Sequence, residues 1–100
     1  MADLIDGGRL AAWIADRAWS ERDGGLEREW SFPDFAAALR FVDAVGGLAE
    51  AQGHHPDIHL HDWNQVGLRL RTHSAGGITD HDLELAERVD ELQERPADGR

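Results

Sequence analysis

The sheet of this protein is decided by residues 56–73, PDIHLHDWNQVGLRLRTH. On both sides of a short interruption at residues 62–65, polar side chains alternate with an apolar set: Ile58, Leu60, Val66, Leu68 and Leu70, followed by Thr72. A period of two is typical of half-buried strands, because successive side chains of a strand point to opposite faces of the sheet. The stretch therefore predicts a β-hairpin.

A second hairpin is predicted nearer the N-terminus, with strands at residues 18–21 and 26–32. The connection contains Asp23-Gly24, a dipeptide that favours the tight two-residue turn of a hairpin because both positions tolerate a positive φ. The second of these strands should carry one set of side chains on a single face: Leu26, Arg28, Trp30 and Phe32.

A long helix is predicted between the two hairpins, from Pro33 to about Gln52, with Gly53 as its stop. Its apolar side chains cover about half of the circumference: Phe35, Ala38, Leu39, Phe41, Val42, Val45, Leu48 and Ala49. A helix that packs on one sheet needs a stripe of only about 100°. The extra width favours a second partner, most simply another copy of the chain. The alternative is that the first helix of a monomer covers it.

Two further helices complete the predicted order. A short first helix ends near Arg17, and Thr79-x-x-Asp82 is typical of a capping box that opens a last helix. The inward stripe of this last helix is Leu85, Ala86, Val89 and Leu92, and Pro96 ends it. The order α-β-β-α-β-β-α predicts an α+β fold, a four-stranded antiparallel sheet with three helices packed on one face. We expect a single domain over residues 1–96 and a flexible tail over residues 97–100.

The composition excludes several classes of function. The 100 residues include no cysteine, so disulfides, thiolate nucleophiles and thiolate zinc sites are absent. All ten basic residues are arginines, so no lysine can form a Schiff base. The net charge of -10 argues against binding to nucleic acid or to anionic lipid. The N-terminal residues lack the pattern of a signal peptide, and no apolar run is long enough to cross a bilayer. We therefore expect a cytoplasmic location.

Four of the six histidines fall within residues 54–61. One interpretation is a metal site, because His59 and His61 would share a face of a strand and could chelate zinc or copper. The simpler interpretation is that both lie on the solvent face. No cysteine or clear carboxylate completes a ligand set, so no metal is predicted.

The second interpretation is acid–base catalysis centred on His54-His55-Pro56. Pro56 restricts His55 to extended geometry, so the two imidazoles should point in different directions. His73 follows the last strand, and the hairpin would bring it near His54 and His55. Because imidazole titrates near pH 6.5, such a group can give or take a proton near neutrality, which suits a reaction that adds or removes water. The alternative is that these are surface histidines at the ends of elements.

An ordered set of motifs resembles the signature of the pterin-4a-carbinolamine dehydratases. It comprises Glu50-x-x-x-His54-His55-Pro56, the aromatic Trp63, Thr72-His73 ten residues later, Gly77-Ile78-Thr79 and Asp82. The upstream Trp30-Ser31-Phe32-x-Asp34-Phe35 and Phe41-Val42 are similar to the start of that family's helix. The resemblance covers the chain from about Leu10 to Leu92.

The resemblance implies an enzyme that removes water from a 4a-hydroxytetrahydropterin to give the quinonoid dihydropterin. It implies His54 and His73 as an acid–base pair. His55 would also take part in catalysis and would bind the pterin ring. The other residues implied in substrate binding are Glu50, Pro56, Trp63, Thr72 and Asp82. Asp82 could equally be a helix cap alone. Glu50 and Thr72 would hold or orient the site.

The resemblance also bears on partners. It implies a reduced pterin as substrate and no metal or organic cofactor. We expect a homodimer or homotetramer formed through the helix at residues 33–52, through a sheet edge, or both. The alternative function is a non-enzymatic dimerisation or binding module of the same fold.

One departure from the family pattern lies in the second hairpin. The family usually places its aromatic residue six positions after the proline, where this chain has Asp62, and Trp63 follows one position later. A single added residue reverses the faces of the following side chains unless a bulge or loop absorbs it. We therefore expect a bulge or a wider turn near His61-Asp62.

Overall fold

A computed structural model describes residues 3–94, with side chains through residue 92. The helices are α1 (Gly7–Ile14), α2 (Phe35–Gln52) and α3 (Asp80–Glu94), and the strands are β1 (Ser20–Arg22), β2 (Gly25–Ser31), β3 (Asp57–His61) and β4 (Gln65–Leu70). The predicted element order and α+β class are confirmed. The predicted stop at Pro96 and the tail at residues 97–100 lie outside the described residues. None of the described helices is long and apolar enough to span a membrane.

The four strands form one antiparallel sheet in the order β1-β2-β4-β3. The first hairpin turns at Asp23 and Gly24, whose φ angles are 50° and 78°. Positive φ at both central residues is the conformation that an Asp-Gly step favours. The sequence therefore predicted the turn together with the strands that it joins.

The second hairpin absorbs its longer connection in the turn. The β3–β4 ladder runs without a bulge from Asp57 opposite Arg69 to His61 opposite Gln65. Residues 62–64 form the loop, in which Asp62 and Trp63 have φ angles of 49° and 57°. Left-handed backbone is uncommon for a residue as large as tryptophan. Of the two expected solutions, the wider turn is the one that forms, and every strand side chain keeps its predicted face.

The core lies between one face of the sheet and the helices. It contains, among others, Leu26, Trp30, Val66, Leu68 and Leu70 from the strands and Leu85, Ala86 and Val89 from α3. Helix α2 contributes Ala38, Phe41, Val45 and Ala49. Phe41 and Val45 belong to the wide apolar arc that we expected to serve association, but both are buried inside the chain.

The outer strip of α2 stays open. Phe35 is 49% exposed and Leu39 is 45% exposed, so nothing among the described residues covers them. Helix α1 is instead joined to α3, where Trp13 Nε1 donates a hydrogen bond to Glu87 at 2.8 Å. The first helix therefore does not cover the surplus apolar face of α2.

Candidate active site

His54 follows directly after the C-terminal cap of α2. Gly53 has a left-handed φ of 68°, and the N–H of His54 bonds to the carbonyl of Ala49 at 3.1 Å. This is the Schellman arrangement, which a residue without a Cβ adopts at little cost. The chain turns out of the helix at Gly53, so the side chain of His54 leaves the axis of α2 and reaches α3.

The ring of His54 is bonded to a buried carboxylate. His54 Nε2 lies 2.6 Å from Asp82 Oδ1, and Asp82 is fully buried. The other oxygen, Oδ2, accepts from Thr72 Oγ1 at 2.9 Å and from the N–H of Thr79 at 2.8 Å. The bond from Thr79 is one half of the predicted capping box. Asp82 therefore caps α3 and holds His54 at the same time.

The two threonines complete the network around Asp82. Thr72 Oγ1 and Thr79 Oγ1 are 2.7 Å apart, and Thr79 Oγ1 also accepts from the N–H of His81 at 3.2 Å. Because Thr72 donates its hydrogen to Asp82, the hydroxyl of Thr79 must donate to Thr72. Every donor in this buried group then has an acceptor, which is the condition under which a polar network makes a site rigid.

This network determines which nitrogen of His54 can react. An ionised carboxylate only accepts hydrogen bonds, so the hydrogen shared with Asp82 belongs to Nε2 of His54. In the neutral ring the lone pair therefore lies on Nδ1. The arrangement presents Nδ1 as a proton acceptor of fixed orientation.

His55 points away from His54, as the constraint from Pro56 predicted. Its Nε2 lies 2.6 Å from Glu50 Oε2, and the two side chains are 63% and 77% exposed. His55, Glu50 and Pro56 line a shallow groove between α2 and β3, together with Val42, Gly46 and Ile58. Glu50 therefore holds His55 at the rim of a partly apolar surface.

His73 lies next to the network but is not bonded into it. It begins a 3₁₀ turn, His73–Ala75, that Gly76 closes with a left-handed φ of 75°. The N–H of Thr72 bonds to the carbonyl of Gly77 at 2.8 Å, so this loop is hydrogen-bonded at its base. Among the described residues, His73 makes no side-chain hydrogen bond. The structure brings Thr72 to Asp82 and His54, and leaves the exposed His73 one residue away.

The structure separates Trp63 from the histidines. Trp63 is 61% exposed in the β3–β4 turn, whereas His54 precedes β3 and His73 follows β4, at the other end of the hairpin. The five residues of β3 span about 17 Å. Trp63 of the same chain therefore does not line a site centred on His54, contrary to the substrate-binding role expected from the sequence.

His81 was missed by the sequence reasoning. Its ring centroid lies 5.8 Å from that of His54, and the two planes are inclined by 39°. It directly precedes Asp82 in the first turn of α3, so its position beside a capping residue was the signal that could have identified it.

His59 and His61 occupy the open face of the sheet. Their rings stack with centroids 4.6 Å apart. His61 is bonded to Asp62 at 2.9 Å and more weakly to Glu29 at 3.3 Å. Glu29 reaches across β4 above Gly67, where any Cβ would collide with its carboxylate. Within residues 3–92, no three potential ligands of the His, Cys, Asp or Glu types are arranged to hold a metal ion.

The pKa of His61 provides a test of this surface cluster. Hydrogen bonds to Asp62 and then to Glu29 raise the pKa of His61 above its ordinary value of 6.5. Because the pKa of His61 is higher in the folded state, protonation of His61 stabilises the fold. This contribution is fully present below pH 6.5 and disappears as the pH rises through the folded-state pKa. We expect Asp62→Asn to lower the pKa of His61 and to flatten this pH dependence, because asparagine keeps the left-handed turn but carries no charge.

Two-dimensional NMR titration of the histidine ring, with thermal unfolding at matched pH, would measure the effect on His61. Asp57→Asn is the control, since Asp57 lies on the same strand without a bond to His61. An unchanged His61 titration in Asp62→Asn would contradict the assignment.

The fold and the site define a small α+β protein built around a histidine that a buried aspartate holds. The chain belongs to the pterin 4 alpha carbinolamine dehydratase family, whose family model matches residues 6–92. The family predicted from the spaced motifs is confirmed.

Relatives in several groups of organisms resemble the chain. The pterin-4-alpha-carbinolamine dehydratase 2, mitochondrial, of Arabidopsis thaliana is 44% identical over 91% of this chain and 46% of its own length. A protein of Gloeobacter violaceus, whose name gives the same activity as provisional, is 53% identical over 73% of this chain and 80% of its own.

Two solved structures share the fold. A transcriptional coactivator/pterin dehydratase from Brucella melitensis superposes with a TM-score of 0.83 and 26% identity, over 90% of this chain and 98% of that one. A pterin dehydratase-like protein described as a RuBisCO assembly factor in the alpha-carboxysome superposes with a TM-score of 0.60 and 25% identity, over 74% and 84%. The fold thus occurs in proteins whose names describe catalysis and in one named for assembly.

Proposed function

We propose that this protein dehydrates a 4a-hydroxytetrahydropterin to the quinonoid dihydropterin by histidine acid–base catalysis. The observation that carries the proposal is the ring of His54, which Asp82 holds through Nε2 so that Nδ1 is free to take a proton. Family membership supplies the substrate class, and the fixed imidazole supplies a group able to work on it near neutral pH.

In the proposed step, Nδ1 of His54 takes the proton from N5 of the pterin. The electron pair of the N5–H bond forms the C4a–N5 double bond while the C4a–O bond breaks. His73, in its protonated form, gives a proton to the departing hydroxyl, which leaves as water. Each turnover therefore leaves His54 protonated and His73 neutral, and both must be reset.

The remaining roles follow from the contacts of each side chain. His55, held by Glu50 at the rim of the groove beside Pro56, would contact the pterin ring and could share in proton transfer. Thr72 acts through Asp82, since its hydroxyl donates to that carboxylate. Asp82 is buried, and we assign it to holding His54 rather than to contact with the substrate. The step requires no metal or organic cofactor.

The direct test is the decay of a freshly generated 4a-hydroxytetrahydropterin, followed by absorbance with and without the protein. We expect the protein to accelerate the decay in proportion to its concentration. A decay rate equal to the spontaneous rate would contradict the proposal.

We also propose that the chain associates with a second copy through the exposed strip of α2. Leu39→Glu places a charge in this strip and should reduce the mass in solution to that of one chain. Ala44→Glu is the matched control, because Ala44 is exposed elsewhere on the same helix. Light scattering after size-exclusion chromatography measures the mass. A wild-type protein that is monomeric, or an unchanged mass in Leu39→Glu, would contradict the interface.

The second candidate function is a binding module without catalysis. The exposed Phe35 and Leu39 favour it, as does the assembly role named for one structural relative. A cytoplasmic location is compatible with either function. The decay assay separates the two functions, since a binding module would keep its association and show no acceleration.

A further inference from the structure

His81 is fixed by its main chain while its ring remains exposed. Its N–H donates to Thr79 Oγ1 at 3.2 Å, and its carbonyl accepts from Gln52 Nε2 at 2.9 Å. The first contact ties His81 to the Asp82 network and the second ties it to the end of α2. Neither contact uses the imidazole, so the ring is free to carry a proton.

His54 has little direct access to solvent. Its side chain is 14% exposed, and Nε2 is already bonded to Asp82. A proton taken up at Nδ1 must nevertheless leave before the next turnover. This requirement rests on the proposed function, in which the acid and the base are different histidines.

His81 is a titratable side chain beside His54 that can accept that proton. The two ring centroids are 5.8 Å apart, and we infer from this separation that a single water molecule can bridge a nitrogen of each ring. Asp82, the carboxylate bonded to His54, is buried and already accepts three hydrogen bonds. An exposed imidazole beside a shielded one offers a path from the site to bulk water.

We propose that His81 is a proton-relay residue that connects His54 with solvent. The proton passes from His54, through a bridging water, to the neutral ring of His81, which releases it to water or buffer. No other bond forms or breaks. In this role His81 acts through His54 rather than on the substrate.

His81→Gln tests the relay because it removes the titrating group and keeps both main-chain contacts. In dilute buffer we expect kcat to fall about tenfold with little change in KM, since proton transfer but not binding is impaired. Added imidazole buffer should restore kcat. His59→Gln is the matched control, an exposed histidine on the opposite face of the sheet, and it should behave as wild type.

A second measurement does not depend on dehydration. The exchange with water of the nitrogen-bound ring hydrogens of His54, followed by NMR saturation transfer, should slow several-fold in His81→Gln and stay unchanged in His59→Gln. Slowed exchange in a protein without dehydratase activity would support the relay and overturn the proposed function. Unchanged exchange would overturn the relay, even if kcat were lower in the variant.

Discussion

Replacing His54 by glutamine should lower kcat by about 10²- to 10⁴-fold, the range that a positioned acid or base contributes. Glutamine removes the titrating ring, but its amide can still donate a hydrogen bond to Asp82. The buried carboxylate therefore keeps a partner, and the loss of stability is small. We therefore expect the thermal unfolding of His54→Gln to stay close to that of wild type while the pterin dehydration rate collapses.

Two companion variants separate the roles of the three histidines. His73→Gln should also lower kcat, because it removes the proposed donor to the leaving hydroxyl. His55→Gln should act mainly on KM, because His55 stands at the groove with Glu50 and is proposed chiefly to hold the ring. Wild-type kcat in both His54→Gln and His73→Gln would show that the acid–base assignment is wrong.

Much of the fold could be predicted because local signals agreed with one another. The period of two in residues 56–73 defined a hairpin, Asp23-Gly24 defined the turn of the other, and Gly53 marked the end of α2. Each of these signals depends on the chain's own backbone preferences or on a face that must be buried. Such features need no knowledge of distant contacts.

The features of the fold that could not be predicted depend on how distant parts of the chain pack together. The extra residue before Trp63 could enter either the ladder or the turn, and only the assembled hairpin places it in the turn. The arc on α2 likewise gave no boundary between its buried part, with Phe41 and Val45, and its open part, with Phe35 and Leu39. That division depends on where the sheet and α3 lie, since the ring of Phe41 packs against Trp30 and Phe32.

The residues of the candidate site could likewise be predicted only in part from the sequence. The motif brought His54, Thr72 and Asp82 into one hypothesis, and the structure joins these three by hydrogen bonds. It also grouped Trp63 with them, although Trp63 lies at the opposite end of the hairpin. His81 went unnoticed because its proximity to His54 arises from the packing of α3 against the end of α2, and its place next to the capping residue Asp82 was the one local sign of it.

A single carboxylate therefore serves both the fold and the proposed chemistry. As a cap, Asp82 satisfies the N–H of Thr79 at the start of α3. As a support, it fixes the tautomer of His54. Asp34 offers a natural comparison, since it caps α2 by accepting from the N–H of Ala37 at 2.8 Å and is bonded to no histidine. Substitution at the two positions can separate capping from catalysis.

Asp82→Asn should lower kcat by about 10²-fold or more. A carboxylate accepts hydrogen bonds at both oxygens, from His54 at one and from Thr72 and Thr79 at the other, whereas an amide accepts at its single oxygen only. If its oxygen keeps the bonds from Thr72 and Thr79, its NH₂ group faces His54 Nε2 and drives the ring hydrogen to Nδ1, which removes the proposed base. Exchanging the ionised carboxylate for a neutral amide weakens these buried hydrogen bonds and should also cost about 1–3 kcal/mol of unfolding free energy. Asp34→Asn should cost less than about 1 kcal/mol and leave kcat unchanged, because asparagine is a good N-cap.

Steady-state kinetics, urea unfolding and the NMR assignment of the His54 ring hydrogen measure the three effects. If Asp82→Asn loses stability but retains the Nε2 hydrogen and wild-type kcat, Asp82 is a helix cap alone.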